Sequence, residues 1–523
     1  MILARHEAFF ARTNRLNGSK KIGAMEDTRI HWADVIARAV DGDQVIATGI
    51  TPSGNIHVGN MREVVTADAI FRAIKESGKT ARLIYVADTY DPLRTLYPFL
   101  PTVCRKYVGK PLSEIPDPFG CCGSYAEHYL RPFSDSLHDL DIKLEVYRAD
   151  EMYKNGLYTE ATKVALERRD VIANIIESVS KRKLSADWSP FNPLCGQCRR
   201  ISAAQIIKHV PARNSVQYRC LCGGEGTADY SRGEGKLAWR VDWPARWKIL
   251  GVTIEPFGKD HAVAGGSYDT GKRISEEVYG YCAPLAVPYG HIHLKGRGKM
   301  SSSKGVTISI GDMLESAPAD VLRYVIIKTK PEKLIDFDPG LGLLTLVDEY
   351  DHDEGRAFEL SRISEHERNI PFRHLVTAVQ IARGCEELVQ VLNRSGYEVI
   401  DTSALKKRAR NVRNWLYHFA PEFVKFQVQQ TLPVQVKTLT SAQKKALAKL
   451  AASLATKSND AEWLHDQIYS ISEQVGIDAK DAFKAIYLSL LAKTSGPRAG
   501  WFLTSLNPEF VIARFKEAAG DAT

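Results

Sequence analysis

The stretch QVIATGITPSGNIHVGNMREVVTADAIFRAIKESGKTARLIYVAD, residues 44–88, decides the fold. Gln44–Ile50 is a short apolar run of strand type. TPSGNIH turns the chain. From Val58 the apolar residues Val64, Val65, Ala69, Ile70 and Ile74 recur at helical spacing, with Gly78 where a C-cap belongs. Residues 81–88 are a second strand-type run. Strand, glycine-bearing turn, helix and strand make a βαβ unit. It predicts a parallel sheet whose ligands bind at the carboxyl ends of its strands.

Working outward, hydrophobic residues are 44% and charged residues 25% of the 523, a globular composition that excludes a disordered chain. No run of roughly 18 apolar residues is present, so no membrane span is expected. Nine cysteines, an odd number, argue for a reducing cytoplasm over a disulfide scaffold. Residues 1–24 hold five Lys/Arg and one acid but no apolar signal core. They read as an upstream extension, with the native start at Met25. Helical pattern at 125–137, 158–183 and 271–281 and strand pattern at 237–241 and 252–256 predict an α/β domain over 25–325, with an insertion at about 89–235. A connecting segment, 326–357, and a helical domain, 358–523, complete the expected organisation.

Two stretches carry chemistry. In TPSGNIHVGN, residues 51–60, the helix begins near His57. Free N–H groups and the dipole at a helix start favour phosphate. Gly54 and Gly59 let the backbone come close, and His57 and Asn60 can donate hydrogen bonds. In KGRGKMSSSKG, residues 295–305, Lys295, Arg297, Lys299 and Lys304 with three serines can close on a polyphosphate and stabilise charge developing there.

The cysteines Cys195 and Cys198, then Cys220 and Cys222 after 21 residues, form a C-x2-C and C-x-C pair. That pattern predicts a structural tetrahedral Zn²⁺ site, with His209 as a spare ligand. Cys121 and Cys122 lack a partner pair in sequence and read as structural. Residues 403–460 hold eleven Lys/Arg and two acids, with aromatics interleaved. Such a surface can line a phosphate backbone and stack bases, so Lys406, Arg408, Arg410, Arg413 and Trp415 are candidate RNA contacts.

HVGN at 57–60 and KMSSS at 299–303, about 240 residues apart, together resemble the paired signatures of the class I aminoacyl-tRNA synthetases. Asn60 stands where that pattern has a second histidine, and Ser302 where it has a second lysine. Lys295, Lys299 or Lys304 must then carry more of the charge. GITPSGNIHVGNMRE (49–63), LAWRVDWPARW (237–247) and EPFGKDHAVAGGSYDTG (255–271) are more closely similar to the class I lysyl-tRNA synthetases. GPRAGWFL (496–503) is similar to a segment near the C-terminus of class I enzymes.

The resemblance implies a Rossmann-type parallel-sheet catalytic domain and an all-α anticodon-binding domain; with the cysteine spacing, the expected fold is α/β with a zinc-knuckle-bearing insertion in the catalytic part. It implies ATP with Mg²⁺, L-lysine and tRNA(Lys) as partners of a cytoplasmic monomer. Catalytic roles would fall to His57, Asn60, Lys299, Ser301, Ser302 and Lys304. ATP would meet Pro52, Ser53, Gly54, Gly59, Asp260 and Met300 as well as His57, Asn60 and Lys299. Gly49, Thr51, Trp239, His261 and Tyr289 would wall the lysine pocket. A buried ammonium needs a carboxylate, and Glu63 and Asp242 are the candidates. The alternatives are a class I ligase for glutamate, arginine or cysteine, and a non-catalytic tRNA-binding paralogue.

Overall fold

The structure, a computed structural model, describes residues 30–201, 203–296, 298–299, 308–363, 370–456 and 460–520, without the Lys299 side chain. The 1–24 extension and Arg297, Met300, Ser301, Ser302 and Lys304 of the basic loop lie outside the described residues. The chain divides into two compact units. One comprises Met1–Gly311, Arg323–Asp336 and Gly355–Ser361; the other comprises Asp312–Leu322, Phe337–Glu354 and Arg362–Thr523. The segment 312–361 therefore alternates between the units.

The first unit is built on a five-stranded sheet. Its strands are β1 (Gln44–Ile50), β2 (Ala81–Ala87), β3 (Glu145–Arg148), β4 (Ile254–Gly258) and β5 (Leu285–Tyr289), in spatial order β5-β4-β1-β2-β3. Every pairing is parallel, and β1 runs beside β2 in register from Gln44↔Ala81 to Ile50↔Ala87. The chain leaves β1 toward β2 and β3 on one side and returns to β4 and β5 on the other. The reversal makes the carboxyl end of β1 the switch point, where open parallel sheets bind ligands. The crossover helix α1 (Val58–Glu76) is buried along most of its length. Even Arg62 is enclosed, because its guanidinium donates to the carbonyls of Ile326, Lys330, Pro331 and Lys333. Ala, Val and Ile on its remaining faces lie against sheet and helix alike.

Two local expectations differ from the structure. The run 237–241 is not a strand: only Gly235–Leu237 is extended, and helix α2 (Trp239–Leu250) starts at once. Trp239, Trp243 and Trp247 recur every four residues, so one helical face carries an indole stripe, with ring centroids 5.5 Å apart in the stacked first pair and 5.1 Å in the tilted second. In addition, β3 belongs to the main sheet although it lies inside the stretch read as an insertion.

The second unit is helical. Ser441–Thr456, Ala461–Val475, Ala479–Leu491, Ala499–Ser505 and Pro508–Ala519 pack around Leu447, Leu450, Leu464, Ile468, Ile486, Phe502 and Phe515. Ala- and Leu-rich sequence favours these helices. Side chains of Asp401, Asp460 and Asn507 cap three helix starts. No helix among the described residues is long and apolar enough to cross a membrane.

Candidate active site

A cavity of about 520 Å³ opens at the carboxyl ends of β1, β4 and β5. Gly49, Ser53, His57, Gly59, Asn60, Glu63, Trp239, Asp260, His261 and Tyr289, all singled out from sequence, line it together. Thr51, Pro52 and Gly54 do not line it; Thr51 Oγ1 instead donates to Asp91 at 3.2 Å. Tyr97, Phe99, Asp88, Arg246, Glu255 and His291 also line it and were missed. Asp88 had a signal, since it follows the end of β2.

The start of α1 forms one wall. His57 is the N-cap, and its backbone N–H donates to Asn60 Oδ1 at 3.1 Å. That bond engages the Asn60 oxygen and leaves its NH₂ as a donor, which explains how an amide serves at this position. The basic loop is tied to the same wall. On one side Gly298–Lys299 pairs with His293 and Leu294, next to the cavity residue Ile292. On the other, Ile308 O accepts from Val58 N at 3.1 Å and His57 bridges Ser309. Both ends of the 300–307 segment are thus anchored beside the helix start. Asp260 accepts from His291 at 2.9 Å at the open side.

The closed end holds carboxylates. Glu63 is 8% exposed; Gly49 N donates to Oε1 and Tyr289 OH to Oε2, each at 2.7 Å. Burial pushes its carboxyl up to about 8, against those two bonds. Glu255 accepts from the indole N–H groups of Trp243, at 2.9 Å, and Trp247. Burial pushes it up to about 7. Trp239 and His261, 5.4 Å apart, form the aromatic side. A Cβ on residue 49 would stand 3.3 Å from Arg246 Nη1, so only glycine leaves this floor open.

Asp242 does not share this role. It is fully buried, away from the cavity lining, and accepts from Tyr153 OH, Lys236 Nζ and Arg246 Nη2 at 2.9, 2.7 and 3.0 Å. Burial alone would raise its carboxyl, but Lys236 and Arg246 hold it at about 2. Arg246 also pairs with Asp88 and Lys236 with Asp91. Lys236 and Arg246 pair with Asp88, Asp91 and Asp242, whereas Glu63 and Glu255 bond to neutral donors. Burial favours the protonated form of both glutamates, and a cationic ligand would draw out their charged form.

The insertion carries the predicted cysteine group. Ala204–Val210, Ser215–Cys220 and Glu225–Asp229 form an antiparallel sheet. The sulfurs of Cys195 and Cys222 lie 3.7 Å apart, as do those of Cys198 and Cys220, and all four lie within 4.8 Å of one another. Four sulfurs about 2.3 Å from a tetrahedral centre are about 3.8 Å apart, so the donor set fits Zn²⁺. The one-residue gap of C-x-C is accommodated by a tight turn, with Gly223 at φ 89° and its N–H on Cys220 O. His209 faces Tyr230 instead.

A second group includes Cys121 and Cys122. Asp117, Cys121, Cys122 and His128 bring their donor atoms within 4.8 Å. Cys121 Sγ is 3.1 Å from His128 Nδ1. Asp117 accepts the backbone N–H groups of Phe119, Cys121 and Cys122, which folds the loop onto the helix Tyr125–Asp139 bearing His128.

In the helical unit, Lys406, Arg410 and Arg413 are exposed on Thr402–His418. Two other candidates are not available to RNA. Trp415 is fully buried and donates to Pro339 O at 2.9 Å, and Arg408 is buried against Asp351. Helical periodicity places both on the inner face.

A helix start at the switch point of a parallel sheet, with Ile308 and Ser309 beside it, is an arrangement that suits an α/β enzyme acting on a phosphate-bearing ligand. The profile of the family described as tRNA synthetases class I (K) matches residues 30–378. A lysine–tRNA ligase of Methanosarcina barkeri is 50% identical, over 95% of this chain and 98% of its own length. Those of Archaeoglobus fulgidus and Methanocaldococcus jannaschii are 47% and 42% identical, over 94% and 93% of this chain. The chain belongs to the class I tRNA synthetases of the K family.

Proposed function

We propose that the protein ligates L-lysine to tRNA(Lys) through lysyl-adenylate, in the cavity at the end of β1. The observation that carries the reading is Glu63, a buried acid aimed by Tyr289 and Gly49 at the closed end of the cavity, with Glu255 on the same lining. Glu63 accepts the ε-ammonium, seconded by Glu255, between Trp239 and His261. The lysine carboxylate then attacks the α-phosphorus of ATP and pyrophosphate leaves. The tRNA terminal ribose hydroxyl next attacks the acyl carbon and AMP leaves. No protein nucleophile is required. His57, Asn60 and the α1 start position the phosphates, and Lys299, Ser301, Ser302 and Lys304 supply donors as pyrophosphate departs. Ser53, Gly59, Asp260 and Met300 complete the ATP side, Mg²⁺ accompanying the nucleotide, while Pro52 and Gly54, off the lining, act only by shaping the turn that leads to α1.

Cys195, Cys198, Cys220 and Cys222 hold a structural Zn²⁺ in this reading, supported by their sulfur separations. Asp117, Cys121, Cys122 and His128 are a second donor set of borderline softness suited to the same ion. The helical region 358–523 binds the anticodon, supported by its basic exposed face. Cytoplasmic location and action as a monomer belong to the proposal. Charging of tRNA transcripts against a panel of amino acids tests it. Lysine alone should be esterified, and charging with another amino acid would overturn the assignment.

A further inference from the structure

Two rings on the lining of the β1 cavity have no part in the reading above. Tyr97 and Phe99 lie on the loop that leaves β2. They are half-buried and stacked, with centroids 5.4 Å apart and 7° between planes. We infer that this pair stacks the terminal adenine of the tRNA and so brings the adjoining ribose hydroxyl to the acyl carbon. The inference rests on the tRNA-ligase reading and adds to it the place where the acceptor end is held during transfer.

Three observations carry it. First, the sheet gives the cavity two sides. β1 lies between β4 and β2. Gly258, Asp260, His291 and Ile292 come from the ends of β4 and β5 and the loops after them, whereas Tyr97 and Phe99 come from beyond β2. With the nucleotide on the first side, the adenylate presents its acyl carbon over the end of β1. The β2 side is then left to the second reactant. Second, the rings stand on a core of their own, formed by Leu93, Leu100, Leu112, Ile115, Tyr125 and Tyr129. Phe99 meets Tyr129 edge-on, with centroids 6.0 Å apart. The loop is closed beneath them, because Leu93 N–H donates to Lys110 O and Gly109 N–H to Leu93 O, at 2.9 and 2.8 Å. Tyr125 OH donates to Ser53 O at 2.8 Å, which ties this core to the turn ahead of α1. The platform is therefore fixed before a base arrives, and little ordering is left to oppose stacking.

Third, the same loop suits a nucleic-acid strand. Residues 92–113 hold Arg94, Arg105, Lys106 and Lys110 and no acid. Arg94, Arg105 and Lys106 are exposed. The ammonium groups of Lys106 and Lys110 sit 5.0 and 5.6 Å from the centre of the Tyr107 ring. Aromatic faces beside cations are what an unpaired strand requires. The adenine of ATP offers the same ring chemistry, but a mononucleotide has no strand to lie along these cations. The unpaired end of a tRNA has one.

The test uses the full-length protein and transcripts of the tRNA it charges, either intact or with the terminal adenine removed to leave an abasic ribose that keeps its hydroxyls. Tyr97→Leu and Phe99→Leu keep apolar bulk over the small core. Each should lower the rate of lysine charging at saturating tRNA about five- to a hundredfold, the range for one lost base stack. KM for ATP and for lysine should stay as in the wild type. Tyr97→Phe keeps the ring and should restore most of what Tyr97→Leu loses. The abasic transcript should cost the wild type a similar factor and cost Phe99→Leu little more, because the two changes remove one interaction. Wild-type charging rates in both leucine variants would overturn the inference. So would abasic and Phe99→Leu losses that multiply. A raised KM for ATP with charging at saturating ATP intact would also overturn it, and would give the pair to the adenine of the nucleotide. If the wild type charges no tRNA with lysine, the underlying reading fails instead, and the two failures are thereby told apart.

Discussion

Glu63 and Asp242 show what a residue's surroundings decide. Both are buried acids near the same pocket, yet Lys236, Arg246 and Tyr153 already saturate Asp242, whereas Glu63 has only two neutral donors. Glu63→Gln should therefore lower kcat/KM for lysine at least about thirtyfold, the scale for removing a buried partner of a charge (about 2–5 kcal/mol). The pH dependence follows from the same site. Burial raises Glu63 to about 8 and Glu255 to about 7. The free protein keeps protons there that the unfolded chain has lost, so its stability falls as pH rises through that window. Lysine, whose ammonium stays charged to about pH 10, expels those protons on binding. Its affinity should rise as pH rises toward about 8 and level off above it, and the slope should shrink in Glu63→Gln. Isothermal titration at several pH values checks both. The need for a carboxylate partner to a buried ammonium made Glu63 and Asp242 candidates. It could not separate Glu63 from Asp242, because the distinction depends on Lys236 and Arg246, brought in by tertiary packing.

At the scale of elements, periodicity revealed the βαβ unit because β1, α1 and β2 are long and each buries a regular apolar pattern. It misread 237–241 because a short apolar run next to tryptophans fits either a strand or a helix. Only the indole stripe packing over Phe257 and Tyr268 settles the helix. It misread Trp415 because composition counts an aromatic without placing it on a helix face. The cysteine knuckle was legible from spacing, whereas the Asp117–His128 group was not. Its donors share no repeat and are assembled by a loop folded around one carboxylate. Metal analysis of the purified protein should return two Zn²⁺ per chain. Cys198→Ser should lose one of them and lower the melting temperature, while His128→Ala should lose the other. A metal content near zero in the wild type would contradict both sites.

Over the whole molecule, the chain divides into two units, and the proposal puts the chemistry on the first and anticodon contacts on the second. Neutralising Lys406, Arg410 and Arg413 should raise KM for tRNA and lessen its salt dependence, by about one unit of log–log slope for each phosphate left without its cation. The KM for lysine should hardly change. A uniform loss of lysine and tRNA affinity would point to unfolding instead. The central claim is that the β1 cavity selects lysine and activates it with ATP. Amino-acid-dependent ATP–pyrophosphate exchange, with tRNA present, tests it most directly when wild type and Glu63→Gln are run against all twenty amino acids. The account predicts exchange with lysine alone in the wild type and its near loss in Glu63→Gln. Exchange driven by another amino acid, or undiminished lysine exchange in Glu63→Gln, would contradict it.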